Sequence, residues 1–127
     1  MLPEKFLLKM TIICLCAVLF AGACKKSGST TTVVEYQVSA TNSSNIEISY
    51  NNIIGSKVVT NAQTSWVFDI TDPQKPFTAS VQGSSTSPFS SVQTSCTVNI
   101  LVNGNVVKTA TVSSNTVAVA KAEYIVQ

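Results

Sequence analysis

Cys96-Thr97-Val98-Asn99-Ile100-Leu101-Val102-Asn103-Gly104-Asn105-Val106-Val107-Lys108 is the stretch that decides the fold. Up to Val102 polar and apolar residues alternate, with Leu101 the exception. Period two marks a strand with one face on a core and the other in water. Asn103-Gly104 then breaks the run. A type I′ turn needs positive φ at both central residues, which this dipeptide supplies, so it is the strongest hairpin signal in the sequence. The returning strand is Val106 to Val112. Its phase stays open: a two-residue loop sets Val107 beside Ile100, whereas Val106, Ala110 and Val112 alternate the other way.

Outward from this hairpin the same period recurs, and helical spacing is hard to find. Val34 to Ala40, Ile46 to Tyr50, Trp66 to Ile70 and Phe77 to Gln82 each alternate. Lys57 to Thr60 reads as a shorter strand and Thr116 to Val126 as the last, with Ala118, Ala120, Ala122 and Tyr124 on one side. Turn chemistry separates them: Asn42 to Asn45, Asn51 to Gly55, the Asp72-Pro73 and Lys75-Pro76 bend, and Ser113 to Asn115. Seven or eight short antiparallel strands with closely spaced turns predict an all-β domain, a small antiparallel β-sandwich. One connection, Gly83 to Val92, reads as a long Ser/Thr/Gly-rich loop. Its single large apolar residue, Phe89, is expected to tuck back onto the sandwich; contact with a partner is the other reading.

The N-terminus has the parts of a secretory signal. Lys5 and Lys9 precede an uncharged run, Met10 to Phe20, and the small residues Ala21, Gly22 and Ala23 lead to Cys24. This resembles a bacterial lipobox, with Ala21 standing where leucine is more usual, and the start Cys24-Lys25-Lys26-Ser27 resembles lipoproteins of the Bacteroidetes. The expectation is therefore cleavage after Ala23 and lipidation of Cys24, with palmitate-type acyl chains anchoring the protein to a membrane. The alternative is an uncleaved anchor helix. The uncharged run is short of the roughly 20 residues that span a bilayer, and a plain anchor has no need of small residues before Cys24. Residues 1–23 are then signal peptide, 24–32 a lipidated cysteine and polar tether, and 33–127 the folded domain. Cys24 to Thr32 reaches at most about 30 Å when extended, which holds the domain close to its membrane. Lys25-Lys26 lacks the early acidic residues of surface export signals, which favours the periplasmic face of the outer membrane.

Composition excludes several functions. The whole chain has no histidine and no arginine. Triads built on histidine and two-histidine metal sites are thus unavailable, and the bidentate arginine contacts of nucleic-acid binding are missing. The mature chain would carry lysines 25, 26, 57, 75, 108 and 121 against Glu35, Glu47, Asp69, Asp72 and Glu123, with no basic stripe. No phosphate-binding glycine loop occurs. Asp69 and Asp72 form the one acidic pair with any metal-binding potential, and a solvated strand acid beside a turn residue is the stronger reading of them. Cys14 and Cys16 lie in the signal, leaving Cys96 as the lone thiol, expected to be buried on the apolar face of its strand. No cofactor, no metal and no catalytic residue is expected, and the chain does not read as an enzyme.

The segments Val34-Glu35-Tyr36-Gln37-Val38-Ser39, Ile48-Ser49-Tyr50-Asn51, Trp66, Phe77-Thr78-Ala79-Ser80-Val81-Gln82-Gly83 and Cys96 through Lys108 resemble, in order and spacing, the soluble domain of the mycobacterial small membrane proteins, the MmpS family. The resemblance implies an immunoglobulin-like or transthyretin-like sandwich. It also implies an accessory role beside RND-type transporters that move lipids or siderophores. Two features depart from it: the family has a membrane-spanning helix where this chain has a lipobox, and the family's second cysteine has no counterpart in Ala118 to Ala122. The functional expectation is a membrane-anchored, non-enzymatic binding module of the cell envelope, accessory to a multi-span transporter. The alternative is a surface structural or adhesive lipoprotein that binds other proteins or glycans.

Overall fold

The computed structural model describes residues 30–127. Eight strands follow in order: β1 (Val33–Thr41), β2 (Asn45–Asn51), β3 (Lys57–Ala62), β4 (Ser65–Thr71), β5 (Phe77–Thr86), β6 (Thr94–Val102), β7 (Asn105–Ser114) and β8 (Val117–Val126). They pair antiparallel in two four-stranded sheets, β4-β1-β6-β7 and β3-β2-β5-β8. This is the small β-sandwich that the alternation predicts. The β2–β3 and β6–β7 hairpins stay within a sheet, and every other connection crosses between sheets.

The inward positions of each strand build the core: Val34, Tyr36 and Val38 of β1 face Ile46, Ile48 and Tyr50 of β2 and Ala79 and Val81 of β5. Each large side chain so buried contributes roughly 1.5–3 kcal/mol. Cys96 lies fully buried among them as a free thiol.

The two sheets approach closely along one side, for a reason visible in side-chain size. One side is lined by Ala118, Ala120 and Ala122 of β8 and by Gly83 of β5. There Cα atoms of β6 and β8, and of β5 and β6, approach within 8 Å across the sheets, closer than the usual ~10 Å. The other side is filled by rings. Tyr50 packs 4.8 Å from both Trp66 and Phe68, and 5.9 Å from Tyr36.

The hairpin phase is resolved by a β-bulge. Asn103 (φ 51°) and Gly104 (φ 80°) form the two-residue turn, and Leu101 pairs with Val106. The register then shifts, so that Ile100 faces Lys108 rather than Val107. The extra residue lets Val107 and, further on, Ala110 both pack on the core; such insertions locally reset the alternation. Val106 is left exposed.

One sequence expectation is corrected. Gly83 to Val92 is not a single loop, because β5 continues through Thr86. The inward residues of that extension are Gly83 and Ser85, so no apolar alternation announces it. Gly83 sits where a Cβ would lie 2.7 Å from both Cys96 Sγ and Val38 Cγ1. Ser85 is buried against Thr94 of the opposite sheet, their hydroxyls hydrogen-bonded. The Thr94 hydroxyl donates to the Thr41 carbonyl at 3.0 Å. This polar link satisfies groups whose burial would otherwise cost about 1–3 kcal/mol each.

Candidate functional site

The two ends of the sandwich differ in chemistry. At one end the chain enters β1 and is clamped by two residues in left-handed conformation, Asp72 (φ 47°) and Asn103 (φ 51°). Asp and Asn tolerate this region better than other side-chain-bearing residues. The Thr32 N–H donates to Asp72 Oδ1 at 2.6 Å and the Asp72 N–H to the Thr32 carbonyl at 2.7 Å. The Val33 N–H donates to Asn103 Oδ1 at 2.9 Å, and the Asn103 N–H to the Val33 carbonyl at 2.8 Å. The entry of the chain into β1 is thereby fixed.

The β2–β3 turn and the β4–β5 connection stand at this same end. They flank an open cleft of about 380 Å³ lined by Ile53, Ile54, Gln74, Lys75 and Thr78, among others. In the turn, the Gly55 N–H bonds the Asn52 carbonyl at 2.8 Å, and Asn52 Oδ1 accepts the N–H groups of Ile54 and Ser56 at 3.2 and 2.9 Å. Ile53 and Ile54 therefore occupy the corner, 50% and 79% exposed. Lys75 in the cleft lining and Lys57 at the start of β3 are both exposed.

The opposite end is made by residues 42–44, 63–64, 87–93 and 115–116, and none of these is charged. The expectation that Phe89 tucks back is overturned: it is 68% exposed. With residues 83–86 taken up by β5, the remaining loop is short and internally closed. Ser87 Oγ bonds the carbonyls of Phe89 and Val92 at 2.7 and 2.5 Å, and the Val92 N–H bonds the Phe89 carbonyl at 3.0 Å. The ring stands out from this frame beside the hydroxyls and amides of its neighbours.

The remaining candidates separate. Asp72 is engaged by Thr32, while Asp69 lies opposite Glu35 on the outer face of its sheet. No group of three or more potential metal ligands occurs among the described residues. On the same face Thr109 Oγ1 donates to Asn99 Oδ1 at 2.6 Å, Asn99 donates to Gln37, and Gln37 to Glu35. This row of polar side chains satisfies itself. Burial pushes the Cys96 thiol up from its ordinary value, with a backbone hydrogen bond from Ala120 acting in the opposite sense, which leaves little thiolate for nucleophilic attack.

Cys24, the expected lipidation site, and Ala23, the expected cleavage residue, lie outside the described residues, as do Lys25 and Lys26. Among the described residues no helix is long and apolar enough to cross a membrane. The sequence marks Asn51 to Gly55 only as a turn. The overlooked signal is a pair of β-branched apolar residues at a corner where Gly, Pro, Asn, Asp and Ser dominate. No family model matches the chain, and no curated protein matches it.

Proposed function

We propose that the chain is a lipid-anchored, non-enzymatic binding module of the cell envelope, with Cys24 carrying the lipid and the uncharged end around Phe89 offered to a partner. The observation that carries this reading is the separation of the two ends. The tether is clamped at one by Asp72 and Asn103, and the exposed ring of Phe89 stands at the other. A lipid on a tether of at most about 30 Å leaves the Phe89 end as the part farthest from the anchor. A diacylated cysteine holds stably, because each buried methylene adds about 0.8 kcal/mol. An exposed aromatic ring can anchor a contact, because aromatic residues are enriched at interfaces. The first partner in this reading is a multi-span envelope transporter, and the membrane in question is the outer one, on its periplasmic face.

The second reading, adhesion to other proteins or glycans at the surface, draws on β8. Its outward residues Val117, Val119 and Ile125 are exposed, and among the described residues its outer edge is paired by no strand.

A photo-crosslinking residue placed at Phe89, activated in intact cells before detergent extraction, tests the choice. Recovery of a multi-span membrane protein from position 89, but not from Val67 on the sandwich flank, is the expected result. Capture of extracellular material alone supports adhesion, and capture of nothing from position 89 removes the contact surface.

A further inference from the structure

We propose that the tether end of the sandwich lies directly on the bilayer surface, with Ile53 and Ile54 dipping into the headgroup region and Lys57 and Lys75 meeting anionic headgroups. This rests on the membrane anchoring proposed above and specifies how the domain is held beneath it.

Three observations converge. The first is the turn itself. Asn52 and Gly55 supply its conformation, so the two central positions are free of backbone demands, yet both carry isoleucine. Ile54 is 79% exposed, the most exposed large apolar residue of the domain. A local rule broken without a folding reason points to a function. The second is the flanking charge. Lys57 follows the turn and Lys75 stands across the cleft from it, both exposed. Isolated apolar side chains flanked by lysines suit the headgroup boundary, where apolar groups settle about 5–10 Å deep and lysines are drawn to anionic lipid. The third is position. Asp72, whose carboxylate holds the incoming chain at Thr32, is two residues from Gln74 of the same cleft. A lipid on Cys24, as proposed above, is attached to the domain at this end. The far end, with no charged side chain, has no comparable attraction to headgroups.

The occupant is a lipid surface rather than a protein groove partner. The apolar element is a short exposed corner at the rim of an open, shallow cleft rather than a deep groove, with Lys75 in the cleft and Lys57 on the strand that follows the turn.

The test places tryptophan at either end of the full chain. Ile54→Trp and Phe89→Trp are made on Trp66→Phe, and again with Trp66 retained so that any damage to the ring cluster is recognised. Each is incorporated into vesicles of brominated phosphatidylcholine and phosphatidylglycerol, and both flotation and bromine quenching are measured. The expected result is several-fold deeper quenching at position 54 than at 89, reduced by Lys57→Glu with Lys75→Glu. Equal, shallow quenching at both positions in a chain that floats overturns the docking and leaves the anchor standing. The same measurements on the mature chain from residue 24 with Cys24→Ser, which carries neither signal segment nor lipid, separate the two ideas. Flotation and quenching at 54 that survive this change overturn the lipid anchor while keeping the docking. A wild-type chain that does not float overturns both.

Discussion

The carboxylate of Asp72 accepts the Thr32 N–H at 2.6 Å while the Asp72 N–H returns a bond to the Thr32 carbonyl at 2.7 Å. Asp72 does this from a left-handed backbone conformation, so its side chain both tolerates the bend and closes it. Asp72→Ala removes the acceptor and puts a less tolerant residue at φ 47°. The expected loss is about 1–3 kcal/mol, read by chemical denaturation. Asp72→Gly relieves the backbone, and its loss is smaller. Limited proteolysis should show earlier cleavage near Thr32 in both, and an unchanged cleavage rate would contradict the clamp.

Gly83 is a packing requirement. Its missing Cβ leaves room for Cys96 Sγ and Val38 Cγ1, each of which would lie 2.7 Å from it. Gly83→Ala should cost about 1–3 kcal/mol through overpacking. Adding Cys96→Ala should return part of that loss but not all, because Val38 still obstructs the new methyl group. Strict additivity of the two substitutions in a double-mutant cycle would be inconsistent with their contact.

Stability should fall at alkaline pH. Burial pushes the Tyr36 phenol from 10.0 up to about 12, with the Ser80 backbone hydrogen bond opposing and Tyr50 adding to the rise. The unfolded chain releases this proton near 10 while the folded chain keeps it. The contribution is therefore full below pH 10 and is lost as pH rises through about 12. Cys96, also raised, starts the decline from about 9. Tyr36→Phe should lower neutral stability by about 1 kcal/mol, since the Ser80 N–H loses its acceptor. It should also flatten the Tm against pH between 10 and 12, and an unchanged slope would exclude Tyr36 as the source.

Cys96 should resist thiol reagents in the folded protein and react promptly in denaturant. It is fully buried beside Gly83 and Val38, and its thiol is held above its ordinary range. Rapid labelling at neutral pH without denaturant would contradict the packing of β6 against β5.

The strands were legible wherever inward residues were large. Tyr36, Ile48, Ile70, Val81 and Ile100 each mark a buried face by alternation alone, and Asn103-Gly104 marked its turn through backbone chemistry. What was hidden lay where the inward residue is small or polar. Gly83 and Ser85 carry β5 onward without an apolar signal, so the segment resembles a loop until the opposing sheet, with Cys96 and Thr94, supplies the reason for both. The bulge at Val107 was visible only as a conflict of phase, because one inserted residue makes both phases true on opposite sides of it. The chemistry of the two ends of the sandwich was less legible still. Phe89 and Ile54 gain their setting from which loops share an end of the sandwich, and strand pairing together with the connections that cross between the sheets decides that.

The anchor is tested most directly by the intact mass of the chain extracted from bacterial membranes. A polypeptide beginning at Cys24 and carrying the added mass of a diacylglyceryl group and an acyl chain is the predicted result. A chain that still begins at Met1, or one with Cys24 unmodified, would contradict it.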